Sequence, residues 1–181
     1  MAQKGHRAAC PLCLDPVLAK CGNIKVNHWA HLSCDCDTFK QSETEWHIKW
    51  KQLFPTNQQE CVMKKNGITH RADVKTNTKI IEFQKSSISV DQITDRERFY
   101  GNMVWVVDVS DFCKNFRFCR RKGFESFRWL WPRITWTHAV APIFLDFGDS
   151  LFQIKKVYRN IPCGGWGLFW HKDVFLDWAK N

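Results

Sequence analysis

Arg71-Ala72-Asp73-Val74-Lys75 and Ile80-Ile81-Glu82-Phe83-Gln84, the two centres of the stretch from Gly67 to Ser89, are the residues whose reading decides the fold. Both runs alternate in polarity. Side chains on a strand point to opposite faces in turn, so Arg71, Asp73 and Lys75 share one face while Ala72 and Val74 take the other. By the same rule Glu82 and Gln84 lie opposite Ile81 and Phe83. Two such strands, paired with their apolar sides on a core, bring an aspartate, a glutamate and a glutamine together beside basic residues. Such a donor set suits a hard cation and a phosphate.

On the N-terminal side of this pair, Glu60 to Lys64 reads as a further strand, and Lys65-Asn66-Gly67-Ile68 carries the Asn-Gly signal of a tight hairpin. Before it, Ser42 and Glu45 stand at the spacing of a capping box, and Trp46, Trp50 and Leu53 recur at helical intervals as a buried stripe that Pro55 ends. Glu45 then has two readings, a helix cap or a third acidic group over the sheet, with Glu43 as its substitute. His47 and Lys51 fall one turn apart on a common helix face. On the C-terminal side, Ser89 and Gln92 repeat the capping-box spacing and open a helix through Tyr100. Met103 to Val109 reads as a strand buried on both faces. The order is helix, three strands, helix, strand.

The composition is that of a globular chain, 44% hydrophobic and 25% charged over 181 residues. No apolar run approaches the roughly 18 residues of a membrane span, and Met1 to Arg7 is basic with no apolar segment behind it, so the expected location is cytoplasmic, with no membrane partner. A net charge of +9 attracts polyanions, of which nucleic acid is the usual one. Nine cysteines are an odd number without an export signal, which argues against a full disulfide framework and leaves metal ligation or reduced thiols.

Cys10-Pro11-Leu12-Cys13 and His28-Trp29-Ala30-His31 offer two cysteines and two histidines, a ligand set for tetrahedral zinc, with Val17, Leu18, Ile24 and Val26 forming a small hairpin between them. Cys34 and Cys36 follow closely and compete with the histidines as ligands. Four ligands leave no open position, so this zinc is read as structural. At the other end of the chain, Lys114, Arg117, Arg120, Arg121, Lys122 and Arg128 are interleaved with phenylalanines and tryptophans, a combination that suits phosphates and unpaired bases. Pro142 to Ile154 reads as a hairpin turning at Gly148-Asp149, Cys163 to Gly167 as a flexible loop, and His171 to Trp178 as a short helix. The expected organisation is a zinc module over residues 1–41, a core over 42–110 and a basic, aromatic-rich extension over 111–181.

Glu43-Thr44-Glu45-Trp46-His47, His70-Arg71-Ala72-Asp73-Val74, Ile81-Glu82-Phe83-Gln84-Lys85-Ser86-Ser87-Ile88-Ser89, Arg96-Glu97-Arg98-Phe99-Tyr100 and Trp105-Val106-Val107-Asp108 together resemble the motif series of the CoiA-type competence nucleases. Cys10, Cys13, His28 and His31 match the N-terminal knuckles of that family. The resemblance covers roughly residues 8 to 110. It implies an α/β (α+β) chain with a PD-(D/E)xK restriction-endonuclease-like core of order α-β-β-β-α-β, and a Mg2+-dependent (or Mn2+-dependent) DNA endonuclease. By motif, Asp73 and Glu82 would be the metal ligands, with Glu45 as the acidic position on the first helix.

Gln84 departs from the usual lysine of the superfamily. A glutamine offers hydrogen bonds without charge, so another cation is expected nearby. Lys75 shares a face with Asp73 and is the first candidate, with His47 or Lys49 on the first helix as a further contributor. Arg71, Arg96, Tyr100, Arg120, Arg121 and Lys122 are the candidate nucleic-acid contacts. Double-strand cleavage would call for a homodimer or a second encounter, because one site cuts one strand at a time. Two alternatives stand beside this reading: a nuclease-fold DNA-binding protein without catalysis, and an enzyme whose substrate is RNA.

Overall fold

Alternation in the sequence becomes strand in the structure, and the strands dominate. The computed structural model of the chain describes residues 3–10, 13–23, 27–32, 36, 43–158 and 163–181. Ser42, Cys34, Ile24 and Val26, which the sequence reading used, lie outside these residues. Contacts divide the chain into two units, Met1–Ala72 and Asp73–Asn181.

The first unit begins with a three-stranded antiparallel sheet, β1 (Arg7–Ala9), β2 (Pro16–Lys20) and β3 (His28–His31), in the order β1-β2-β3. Helix α1 (Glu45–Lys51) follows. Its N-cap is Thr44 rather than Ser42: the Thr44 amide donates to His47 Nδ1 at 3.2 Å and the Thr44 hydroxyl lies 2.8 Å from the same nitrogen. An imidazole acceptor here takes the place that a glutamate holds in the usual capping box, so Glu45 is the first helical residue and is exposed. The buried stripe is correspondingly His47, Trp50, Lys51 and Phe54, while Leu53, expected inside, is exposed. Lys51 is buried because Glu43 and Glu60 both pair with it, and Arg71 in turn pairs with Glu60 at 2.6 Å. Strand β4 (Gln59–Lys65) then turns through Asn66 and Gly67, both with positive φ as a type I′ hairpin requires, into β5 (Ile68–Lys75), its neighbour in the sheet.

In the second unit the strands follow the order β5-β6-β7-β10-β11-β12-β9-β8, with β5 entering through its residues 73–75. β6 (Ile80–Gln84) pairs antiparallel with β5 and parallel with β7 (Met103–Asp108), and β10 (Ile143–Asp146) lies parallel to β7 on its other side. Every residue of β6, β7 and β10 is buried. The crossover between β6 and β7 is helix α2 (Val90–Tyr100), capped as the sequence predicts: the Gln92 amide donates to the Ser89 hydroxyl at 3.2 Å, and the Ser89 amide donates to Gln92 Oε1 at 3.1 Å. The helix, three-strand, helix, strand order is thus present between Glu45 and Asp108.

Residues 111–181 extend the same sheet. Strands β8 (Phe116–Arg121) and β9 (Phe124–Trp129) form a hairpin, β10 and β11 (Ser150–Tyr158) form another turning at Gly148, and β12 (Cys163–His171) closes between β11 and β9 before helix α3 (Lys172–Lys180). Most of the rings expected as candidate base platforms pack here, with Phe116 against Trp129 at 4.8 Å and Phe118 against Phe152 at 4.8 Å.

The segment Cys163 to Gly167, expected as a flexible loop, is strand. Its glycines are there for close approach: a Cβ on Gly165 would sit 1.9 Å from the Lys156 carbonyl oxygen, and one on Gly167 would sit 2.2 Å from that of Gln153. Among the described residues, no helix is long and apolar enough to cross a membrane. Gly165→Ala should therefore lower stability by about 2–3 kcal/mol, read as a lower urea midpoint at unchanged slope. A midpoint equal to wild type would show that the two strands are not so closely apposed.

Candidate metal centre and candidate active site

The N-terminal cluster is built by a tight knuckle and a strand. The Leu14 amide donates to the Cys10 carbonyl at 2.8 Å, which closes the turn that carries Cys13, and Leu14 takes a φ of 65°, after which the Asp15 carbonyl accepts from the Cys10 amide at 2.8 Å. A left-handed non-glycine residue costs on the order of 1 kcal/mol, a strain that such sites hold in place. Cys10, Cys13, His31 and Cys36 have their ligand atoms all within 4.8 Å of one another. The Cys10 and Cys36 sulfurs are 3.6 Å apart, and Cys13 Sγ is 3.3 Å from His31 Nε2. Those separations are close to the edges of a tetrahedron with bonds of about 2.3 Å to sulfur and about 2.0 Å to nitrogen.

His28 does not join the cluster, which corrects the expected Cys2His2 set to Cys3His. The reason is periodicity. His28 and His31 are three apart on β3, so they point to opposite faces, and the face that His31 shares with Trp29 pairs with the buried Val17 and Ala19. Burial and the neighbouring Cys10 and Cys13 push the Cys36 thiol up to about 12, and burial also raises Cys13. Three adjacent thiols therefore resist ionising together unless a cation balances them, which is the chemistry of a zinc thiolate site. No disulfide links the described cysteines.

The second cluster lies where β5 and β6 part. Their backbones pair Val74 with Ile81 and Lys75 with Ile80. One step further, side chains make the connection: the Asp73 amide donates to Glu82 Oε1 at 3.2 Å, and the Phe83 amide donates to Asp73 Oδ2 at 2.8 Å. Two carboxylates thus stand side by side on neighbouring strands, each anchored by a backbone N–H. Glu82 is only 4% exposed, and Gln84 is wholly buried.

The cation beside them is Arg96 of α2, itself 2% exposed. Its Nη1 donates to Glu82 Oε2 at 3.3 Å and to Gln84 Oε1 at 3.4 Å, and the guanidinium lies 5.7 Å from the centre of the Trp105 ring. The Gln84 amide nitrogen donates to the Ser86 carbonyl at 2.9 Å, so the amide has its oxygen toward the arginine. A lysine at position 84 would bring an ammonium group against this buried guanidinium. Arg96 is the residue whose position sequence reasoning missed; its spacing on α2 was visible, its depth was not.

The other candidates sort by place. Lys75, the expected cation, is exposed at the end of β5, and Lys85 is engaged by Asp108. Glu45 and His47 belong to the first unit, Glu45 exposed and His47 buried as a cap. Arg71 is held by Glu60. Tyr100 is buried, which removes it from the candidate surface, whereas Arg120, Arg121 and Lys122 are all exposed at the β8–β9 turn. No protein-family model, curated protein or solved structure matches the chain.

Two outcomes follow from these contacts. Purified protein should carry one zinc per chain, lost in Cys36→Ser and retained in His28→Ala, as measured by chelator release with a chromogenic zinc indicator; the reverse pattern would restore the histidine pair. For Asp108, burial acts to raise its carboxyl, but Lys85 and the Ser110 amide and hydroxyl outweigh it and hold it below the ordinary value of 3.8. A carboxyl lowered in the folded state contributes stability above that ordinary value and loses it as pH falls through the folded one. Asp108→Asn should cost about 1–2 kcal/mol at neutral pH, and the gap between the two urea midpoints should close only below about pH 4.

Proposed function

We propose that the chain is a divalent-cation-dependent nuclease of PD-(D/E)xK type, acting on DNA at Asp73 and Glu82. The observation that carries this reading is the pair of carboxylates on diverging strands, each fixed by an amide of the other strand, in a protein of net charge +9. The element order around them, α1-β4-β5-β6-α2-β7, also supports it.

The residues fit a hard cation. Asp73 and Glu82 supply carboxylate oxygens on adjacent strands, and the preference of magnesium for one or two carboxylates plus water matches that set. When bound, such an ion would supply a water of lowered pKa and neutralise charge on the phosphate. The chain's own residues do the rest by positioning. Arg96 balances the Glu82 charge in a dry interior and orients that carboxylate and the Gln84 amide together, taking over the electrostatic part that a lysine plays elsewhere. Because it is buried, Arg96 acts through Glu82 and Gln84. Contact with the phosphate backbone falls to exposed cations such as Arg120, Arg121 and Lys122.

A second reading has one observation in its favour. Arg96 is bonded to both Glu82 and Gln84, and Gln84 itself carries no charge, an arrangement that also suits a nucleic-acid-binding protein whose catalysis is gone. Supercoiled plasmid separates the two. The nuclease reading expects nicked or linear product with magnesium or manganese, lost at least a hundredfold in Asp73→Asn and in Glu82→Gln, with DNA retained by both variants; about 10²–10³ is the usual effect of removing one electrostatic partner of the transition state. Gln84→Lys should fail to raise activity. Binding without cleavage in every metal would establish the second reading.

A further inference from the structure

The register of four strands places a second set of residues on one open face, away from the carboxylates. Across β8, β9, β12 and β11, Arg117 pairs with Arg128, Arg128 with Gly164, and Gly164 with Tyr158. The next row on that face runs Cys119, Ser126, Trp166 and Lys156, and the third begins with Arg121 opposite Phe124. Paired residues share a face, so Arg117, Arg128, Arg121 and Lys156 surround Phe124, Trp166 and Tyr158. Phe124 is 38% exposed and Tyr158 is 48% exposed. The Phe124 and Trp166 rings meet edge to face at 5.7 Å, and Lys156 lies 5.4 Å from the Tyr158 ring centre.

Two features of this face lack a structural purpose. Arg117 and Arg128 are directly opposed like charges, an arrangement that destabilises a sheet. Among the described residues, no carboxylate forms an ion pair with Arg117, Arg121, Arg128 or Lys156; Arg117 donates instead to the carbonyls of Lys114 and Phe116 at 2.6 and 3.1 Å. Meanwhile the opposite face carries Phe116, Phe118, Phe127 and Phe152, packed ring on ring, so the exposed aromatics are not needed to complete that core. Further along β12 on the open face, Trp170 is covered by Trp178 of α3 at 5.7 Å, which bounds the uncovered area.

We infer that this face binds single-stranded DNA, with bases stacked on Phe124, Trp166 and Tyr158 and phosphates held by the four surrounding cations. Ring faces for bases and a cationic border for the backbone are the two components of single-strand recognition. A second copy of the chain does not suit the face, because it would bring the same cations against one another. Duplex DNA does not suit it either, since paired bases offer no free ring to a flat sheet. The choice of DNA over RNA rests on the nuclease reading above; the face itself does not depend on catalysis.

The test is fluorescence anisotropy of a labelled oligothymidylate on Asp73→Asn protein, so that cleavage plays no part, across about 50–200 mM salt. Trp166→Ala with Phe124→Ala should weaken binding about a hundredfold, about tenfold for each of two lost base stacks. Arg117→Ala with Arg128→Ala should reduce the slope of log K against log salt by about 1.4, from ~0.7 per phosphate contact on a single strand. Lys64→Ala with Arg98→Ala removes the same charge elsewhere and should leave that slope unchanged.

Circular dichroism of each variant at wild-type amplitude keeps the comparison one of folded proteins. Equal binding by the aromatic variant, or by polyphosphate in place of DNA, would overturn the stacking face and leave only a charged surface. Tighter binding of the matching RNA would overturn the choice of DNA. A protein that binds as expected but never cuts plasmid would retain this inference while losing the nuclease reading.

Discussion

A guanidinium removed from water must be met by charge and by acceptors, and in this protein that requirement falls on Arg96. Isolated burial of such an ion costs several kcal/mol even after relaxation, so Glu82 and the Gln84 carbonyl are held against it, and the Trp105 ring lies beside it. The consequences run outward along the fold. Glu82 faces the arginine with one oxygen and the Asp73 amide with the other. Asp73 in turn takes the Phe83 amide. The neighbouring residue on α2, Glu97, accepts from the Trp105 indole at 3.0 Å and from the amides of Val140 and Ala141, so one turn of helix fixes β6, β7 and the entry to β10. The carboxylate pair is therefore positioned by the packing of α2 on the parallel strands, and its chemistry cannot be separated from that packing.

That dependence leaves position 84 without need of a charge of its own, and a neutral glutamine stands there. Charge near the carboxylates comes from the helix, and a second cation at position 84 would add repulsion in a region with little solvent to screen it. The same economy appears at the N-terminus, where three thiols and an imidazole gather around a volume that suits tetrahedral zinc, in a segment with few buried side chains of its own. At the thiol cluster burial raises Cys13 and Cys36, so a cation there would complete the group; at Glu82 the buried Arg96 is already beside the carboxylate.

Much of this was legible in the sequence because it follows from local rules. The alternation at 71–75 and 80–84, the Asn66-Gly67 turn, the Ser89 cap and the unbroken apolar run of β7 each act within a few residues, and each is present. The misreadings share a different cause. Thr44 replaced Ser42 as cap because His47 supplied an acceptor that the usual pattern does not include. Cys36 replaced His28 because strand periodicity turns two histidines at a spacing of three to opposite sides. Cys163 to Gly167 reads as a loop by composition, yet the missing side chains are what let β12 approach β11. Arg96 was recognisable as a candidate and misjudged in depth, since burial of a charge is a property of the assembled sheet and helix.

The claim on which the account rests is that Asp73 and Glu82 form a divalent-cation site distinct from the thiolate cluster. Electron paramagnetic resonance titration of manganese into zinc-loaded protein measures this directly, because thiolates are poor ligands for manganese and carboxylates are good ones. One saturable manganese site per chain is expected, lost in Asp73→Asn with zinc content unchanged. Manganese that binds equally well to the variant, or not at all to the wild type, would contradict it.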